Sequence, residues 1–498
     1  MTMPVLSLLA ATLLPFPREF QATGGFVKDP PVAESRDVSL PPEGYRLTVG
    51  RDGAKIAAAD DRGAFYARET LRQLDEGKGV PCCEVKDWPE YPFRSIMIDE
   101  GRHFFGKAFM LKTLELMARY KFNTLHWHLT EDQGWRIAID RYPELTKIGA
   151  TRLETAVRGH YTGKYDGTQY GPYFNTKDEI REIVRRATEL KIDVIPEIEM
   201  PGHCRSVIAA YPELACPTAK LGRRTCWTDW GICDDVVCVS NPKVLAFYKN
   251  VIDEVCELFP GKRFHTGGDE VTGVQWKACP RCQAKMKELG FTNVMQLQGW
   301  FTQQIYEYLT DVKGREFGGW SAVFSNGTRL DPRKCYAPGG CENNQIWCAM
   351  AGYKTVASPV EYMYWDFNQG LADADKVVYG TWWSGSITLS DVYGFDPRRG
   401  VPPAAAKNVI GGESHNWAEY SYTVPELEWK VWPRSIALAQ ALWNPQSGYS
   451  YKERFLPVVK RHIARLRAEG VNCADAFEGY SCATTGGASA DNQVLKQD

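Results

Sequence analysis

Two rhythms of apolar spacing divide the chain. Up to about residue 90, short alternating runs dominate. YRLTV (45–49) and AKIAAA (54–59) read as paired strands across a Gly-Arg-Asp-Gly turn, and DRGAFYARETLRQL places Phe65, Leu71 and Leu74 on one helix face. The two prolines of DWPEYPFR interrupt both helix and sheet, which marks a boundary. From Arg94 the pattern becomes a repeated unit of short apolar strand, polar loop and amphipathic helix. RSIMID is followed by a helix with Met110, Leu114 and Met117 in register, and FNTLHWHL by a long Gly- and Tyr-rich loop. Thr176 and Glu179 then form a capping box for a helix whose inner face is Ile180, Ile183, Val184, Ala187 and Leu190. DVIPEIEM, a helix through Val244, Phe247, Val251, Val255 and Leu258, and RFHTGGDE continue the alternation.

REFGGW, NQIWC, VEYMYWDF and KNVIGGE are the further strand candidates and bring the count from Arg94 to eight. Strands alternating with helices imply a parallel sheet, and eight such units predict an α/β fold of the (β/α)8 (TIM) barrel type. The predicted organisation is a small α/β domain over residues 1–92, a catalytic barrel over 93–474 and a Gly-, Ala- and Ser-rich tail over 475–498. In such barrels the chemistry sits at the C-terminal ends of the strands. Arg102, Glu131, Asp132, Glu197, Glu199, His203, Asp269, Glu270, Asp366 and Glu419 all fall there.

Composition narrows the ligand. The 59 basic and 61 acidic residues nearly balance and form no long basic stripe, which argues against nucleic acid and for an uncharged or small ligand. Several of the 61 aromatic residues (16 Trp, 24 Tyr, 21 Phe) lie beside Gly, Asp or Glu rather than inside apolar runs, a placement suited to the CH-rich faces of sugars, while many of the rest read as core. Fifteen cysteines fit an exported protein, periplasmic or secreted, with some disulfides, and the odd count leaves at least one thiol over. Cys279-Pro-Arg-Cys282 is the single Cys-x2-Cys, so a disulfide or two plain thiols is favoured there over a metal, and no metal or cofactor is expected. The opening MTMPVLSLLAATLLPFP has an apolar stretch but no basic flank, and reads as a signal remnant or a first strand. No apolar run elsewhere is long enough to predict a membrane span.

Neighbouring side chains in a regular strand point to opposite faces, so Asp269 and Glu270 can share a site only where the strand ends or distorts, which Gly267 and Gly268 permit. The acids, Arg102 and tryptophans 320, 347, 382, 383 and 417 near predicted strand ends describe a pocket for a polyol beside an acid catalyst. His126 and His128 share a strand face and suit a buried polar network better than a zinc pair.

The lines RSIMIDEGRHFFGK, FNTLHWHLTEDQGWRIAIDRYPELTKIGATR, IDVIPEIEMPGH, FHTGGDEV, GGESHNWAEY and WPRSIALAQALW resemble, in order, the signatures of glycoside hydrolase family 20, the β-N-acetylhexosaminidases. The resemblance covers roughly residues 12 to 470. It implies a retaining exo-hydrolase of terminal β-linked GlcNAc or GalNAc in which the substrate's own 2-acetamido group is the nucleophile. By the same resemblance Glu270 is the acid–base and Asp269 holds the acetamido group. His203, with Glu131 or Asp132, relays toward Glu270. Arg102, Asp366 and Glu419 bind hydroxyls, Tyr364 donates to the acetamido oxygen, and Trp320, Trp347 and Trp417, with Trp382 or Trp383, enclose the sugar. A glycan is therefore the expected partner. Two other classes fit fewer residues: a Mg²⁺ enzyme using Asp269, Glu270 and Glu199 as oxygen ligands, and a catalytically dead sugar-binding barrel.

Overall fold

A computed structural model describes residues 12–75, 77, 79–157, 163–370, 386–445 and 448–475. The small domain is a five-stranded sheet of β1 (Glu19–Val27), β2 (Val32–Arg36), β3 (Tyr45–Gly50), β4 (Gly53–Ala58) and β5 (Val80–Asp87), in the order β1-β5-β3-β4-β2. The predicted pair is β3 and β4, antiparallel, with Tyr45, Leu47 and Val49 alternating inward. Helix α1 (Asp61–Leu74) is capped by the Asp60 carboxylate, which accepts from Gly63 N, and buries Tyr66, Ala67 and Leu74 against this sheet.

The barrel begins at β6 (Phe93–Asp99) and continues through β7 (Thr124–His128), β8 (Asp193–Glu197), β9 (Arg263–His265), β10 (Glu316–Gly318), β11 (Cys335–Gly339), β12 (Lys354–Ala357) and β13 (Val409–Asn416). All eight are parallel and close in sequence order, β13 pairing with β6. The expected helices form: α2 (Gly106–Arg119) buries Met110, Leu114 and Met117, and α3 (Lys177–Glu189) carries the Thr176/Glu179 capping box. Helix α4 (Pro242–Leu258) buries its predicted face as well.

Two of the eight expected strands are misplaced. NQIWC lies inside helix α5 (Glu342–Met350), and VEYMYWDF begins as a one-turn helix, Val360–Met363. The strands actually used are CYAPG and KTVA. CYAPG carries a proline and a glycine that read as a turn, and short apolar runs do not separate strand from buried helix by periodicity. The disulfide expectation also fails among the described residues, where all fourteen cysteines are free thiols. No helix there is long and apolar enough to cross a membrane.

The two units are joined by a buried polar knot. Lys121 at the end of α2 places Nζ 3.1 Å from Asp87 of β5, and Tyr45 OH and Trp443 Nε1 donate to the same carboxylate at 2.8 and 2.9 Å. Arg94, the second residue of the first barrel strand, reaches Glu43 at 2.7 Å. Each buried charge is thus paired and hydrogen-bonded, as its desolvation requires.

Candidate active site

Strand register sets the floor of the site. Asp99 pairs with His128, His128 with Glu197, and Glu197 with His265, so four polar residues from adjacent strands end at one level. His128, Glu197 and His265, together with His126 and Glu413, form a buried polar network. Glu197 Oε2 accepts from His128 Nδ1 at 2.5 Å and has His126 Nε2 at 3.1 Å; its Oε1 lies 2.8 Å from His265 Nδ1, and His126 Nδ1 meets Glu413 at 3.0 Å. Burial alone would raise the Glu197 pKa, but the imidazoles of His128, His265 and His126 hold it well below the usual carboxylate range. His126 and His128 are therefore members of a buried polar network.

Strand β9 stops at His265, and the turn after it brings two adjacent carboxylates to one place. Gly267 (φ +59) and Gly268 (φ +95) are left-handed, and Glu270 itself has φ +51. A Cβ on Gly267 would lie 1.9 Å from Glu199 Oε2, and one on Gly268 2.3 Å from Val323. The turn is pinned by Gly268 N donating to Glu199 (3.1 Å) and Gln298 Nε2 donating to Gly268 O (2.6 Å). Both carboxylates consequently approach one imidazole: His203 Nε2 is 3.8 Å from Asp269 Oδ1 and 3.4 Å from Glu270 Oε2.

His203, also left-handed at φ +46, stands just beyond Pro201-Gly202. Its Nδ1 lies 3.2 Å from both Glu131 Oε2 and Asp132 Oδ2, so the two acids share the contact. Asp132 also accepts from Arg205 N at 2.8 Å, which anchors the loop carrying His203. Burial would lower the His203 pKa, but the charge on Glu131 and hydrogen bonds with Asp132, Glu131 and Glu270 raise it well above 6.5. Glu199 is pushed the other way: burial and then the charge of Asp269 raise its pKa, favouring the neutral acid.

Arg102 is buried across the barrel mouth. Its guanidinium meets Glu131 at 2.7 Å, Asp99 at 3.2 Å and Glu419 at 3.9 Å, and lies 5.1 Å from the Trp417 ring centre. Asp99 is a member of the site that sequence reasoning misses. It closes this group by also accepting from Ala418 N at 3.0 Å, and its one signal is its place at a strand end just before Arg102. Among the described residues, Arg102 Nε, Glu419 Oε2 and Asp366 Oδ1 are buried without a hydrogen-bond partner, so a cation and two acids retain unused hydrogen-bonding capacity. Burial and the charge of Glu419 push Asp366 up to about 7.

The aromatic wall is narrower than expected. Trp320 and Trp417 lie 5.5 Å apart, both against His415 (5.1 and 5.8 Å), and Tyr364 stands 6.2 Å from Trp417. Trp347 is a correction: it lies within α5, not at a strand end, and its ring packs on Tyr353 at 6.1 Å with no ring contact to Trp320, Tyr364 or Trp417 among the described residues. Trp382 and Trp383 lie outside the described residues. The magnesium reading also loses ground, because the metal-competent groupings among the described residues include neither Asp269 nor Glu270.

Comparison with known proteins gives a consistent answer. Residues 91–446 match the model of the glycosyl hydrolase family 20 catalytic domain, and residues 9–88 that of the family's domain 2. A beta-hexosaminidase of Porphyromonas gingivalis is 35% identical over 88% of this chain and 55% of its own length, so the chain spans about half of that relative. A beta-hexosaminidase of Akkermansia muciniphila is 32% identical over 83% of this chain and 82% of its own length. Among solved structures, the exo beta-N-acetylglucosaminidase of Vibrio harveyi, crystallised with N-acetylglucosamine, superposes with a TM-score of 0.82 at 28% identity, covering 94% of this chain and 79% of its own.

Proposed function

The chain belongs to glycoside hydrolase family 20, and from that membership we propose that it is a retaining exo-β-N-acetylhexosaminidase releasing terminal β-linked GlcNAc or GalNAc by substrate-assisted catalysis. The observation that carries the reading is the convergence of Asp269 and Glu270 on the one imidazole of His203. Two protein carboxylates acting as acid and nucleophile would flank the sugar from opposite faces, about 5 Å apart, and adjacent residues turned toward one ring are poorly placed for that.

The proposed chemistry gives each acid its own task. The acetamido carbonyl oxygen attacks C1 as the glycosidic C–O bond breaks, and Glu270 delivers its proton to the departing oxygen. Asp269 accepts from the acetamido N–H and offsets the positive charge of the oxazolinium ring. Glu270, now a carboxylate, takes a proton from the water that opens the ring at C1, so two inversions leave a β-configured product. The cationic His203, 3.4 Å from Glu270, stabilises the carboxylate that Glu270 becomes on giving up its proton, with Glu131 and Asp132 balancing the charge.

The unused polar atoms of Arg102, Asp366 and Glu419 suit sugar hydroxyls, since a polyol brings both donors and acceptors. Trp320, Trp417 and Tyr364 supply apolar faces for the ring and the acetamido methyl, with Tyr364 also offering a hydroxyl to the acetamido oxygen. A panel of nitrophenyl β-glycosides of GlcNAc, GalNAc, glucose and galactose tests the reading. Turnover confined to the two N-acetyl sugars is expected, and comparable rates on glucose would contradict it.

A further inference from the structure

Cys216, Cys238, Cys279 and Cys282 come together in one buried cluster that the chemistry above does not use. Only the Cys279-x2-Cys282 pair is visible as a motif. Its partners sit on a different loop and are too widely spaced to read as a second knuckle. What unites them is local pairing: an antiparallel bridge between Ala215 and Val237 puts Cys216 and Cys238 on one face, diagonally across the bridge, with Cys238 N donating to Leu214 O at 2.8 Å. Cys279 and Cys282 span the start of the helix Pro280–Leu289 and face them.

From this geometry we infer that the four cysteines form a structural zinc site that clasps the loop after β8 to the loop after β9. All four sulphurs lie within 4.8 Å of one another, and the closest pairs are 3.7 Å (Cys238 and Cys282), 3.9 Å (Cys238 and Cys279) and 4.0 Å (Cys216 and Cys282). A tetrahedral zinc with Zn–S bonds of about 2.3 Å has sulphurs about 3.8 Å apart along each edge. A disulfide requires about 2.05 Å, so the spacing is that of co-ligands. Four thiolates fill a zinc coordination sphere and leave no open position, which makes the site structural rather than catalytic. Loading displaces four thiol protons to solvent and forms four Zn–S bonds, with no change of oxidation state.

The position of the clasp gives it a purpose. Cys216 and Cys238 belong to the segment after β8 that also carries His203, and Cys279 and Cys282 lie just beyond the turn that carries Asp269 and Glu270. Beside the cysteines the two loops also meet through hydrogen bonds: Trp276 Nε1 donates to Val237 O at 2.9 Å, and Gln275 Nε2 to Asp235 at 3.4 Å. Four metal–sulphur bonds would fix the two loops, and with them the 3.4 Å approach of His203 to Glu270. The inference stands apart from the glycosidase reading, because metal content is measured without turnover.

The test is elemental analysis of the full-length protein, purified without chelator. About one zinc per chain is expected, released by a mercurial thiol reagent and not by dialysis alone. Refolding with Co²⁺ in place of zinc should give a sulphur-to-cobalt charge-transfer band and tetrahedral d–d absorption. Cys238→Ser and Cys279→Ser should each lose the metal and melt at lower temperature, while Cys256→Ser, at a half-buried thiol outside the cluster, should keep it. Should the serine variants fail to fold, the zinc content and cobalt spectrum of the wild-type chain decide alone. Folded protein without zinc, iron in its place, or a disulfide among the four cysteines by mass spectrometry would overturn the assignment.

Discussion

His203 holds its Nε2 3.4 Å from Glu270 Oε2 while its Nδ1 sits 3.2 Å from the carboxylates of both Glu131 and Asp132. A cationic imidazole is thereby interposed between a buried acidic pair and the proposed acid catalyst. His203→Ala should lower kcat by roughly tenfold to a hundredfold, the usual cost of removing a group that supports a reacting one. In the proposed mechanism His203 acts in its protonated form, and because its pKa is raised the wild-type rate should fall as pH climbs through that raised value. The high-pH limb of the profile should shift in the variant. A uniform loss at every pH would return His203 to a purely structural role.

The acid itself is tested by leaving group. Glu270→Gln should cut turnover of natural glycosides by several powers of ten and that of nitrophenyl glycosides far less, since good leaving groups need little protonation. Equal losses on both would remove Glu270 from the role.

Arg102 bridges Asp99, Glu131 and Glu419 from a buried position. Arg102→Ala strips these acids of their cation and sugar hydroxyls of a donor, so binding and turnover should weaken together, by about 2 to 5 kcal/mol. Near-normal kinetics would contradict the assignment.

Asp366 offers a test by stability. Its folded pKa, about 7, lies above the ordinary 3.8, so between those values the folded state binds more protons than the unfolded one. Its contribution to stability therefore declines as pH rises through that window, by at most about 1.4 kcal/mol per pH unit. Asp366→Asn removes this effect, and denaturant titrations should show it more stabilising at pH 8 than at pH 5. An equal effect at both would show that Asp366 ionises normally.

These residues are legible in the sequence to different degrees, for physical reasons. The barrel can be read because helices such as Gly106–Arg119 and Lys177–Glu189 carry strong one-sided apolar patterns, and strands such as Phe93–Asp99 are buried along their whole length. CYAPG cannot, because a strand buried on both faces and carrying Pro338 and Gly339 has neither alternation nor the usual residues. At the site, the Gly-Gly-Asp-Glu turn announces itself through residues only a left-handed backbone needs. Trp347 misleads because tryptophan is as much at home in a helix packed on Tyr353 as in a sugar pocket. Cys216 and Cys238 give no local signal, since their juxtaposition is created by one bridge between Ala215 and Val237.

In the proposed mechanism Asp269 is the residue whose importance depends on the substrate. Asp269→Asn keeps the shape but loses the charge that offsets the oxazolinium, so turnover of N-acetyl substrates should fall on the order of a hundredfold or more. Binding should change far less, because that charge develops mainly in the transition state. A thiazoline mimic of the intermediate should inhibit the wild type strongly and the variant weakly, and equal inhibition of both would count against the role.

The substrate's acetamido oxygen, and no group of the protein, is proposed to attack C1. The most direct measurement of this is kcat/KM of the wild-type enzyme on nitrophenyl β-glucosaminides whose N-acetyl methyl bears none, one, two or three fluorines. Each fluorine withdraws electrons from the carbonyl oxygen while the leaving group stays the same. Attack by that oxygen predicts a steep, stepwise fall across the series. A flat series, together with a sugar trapped covalently on a carboxylate of the protein, would contradict it.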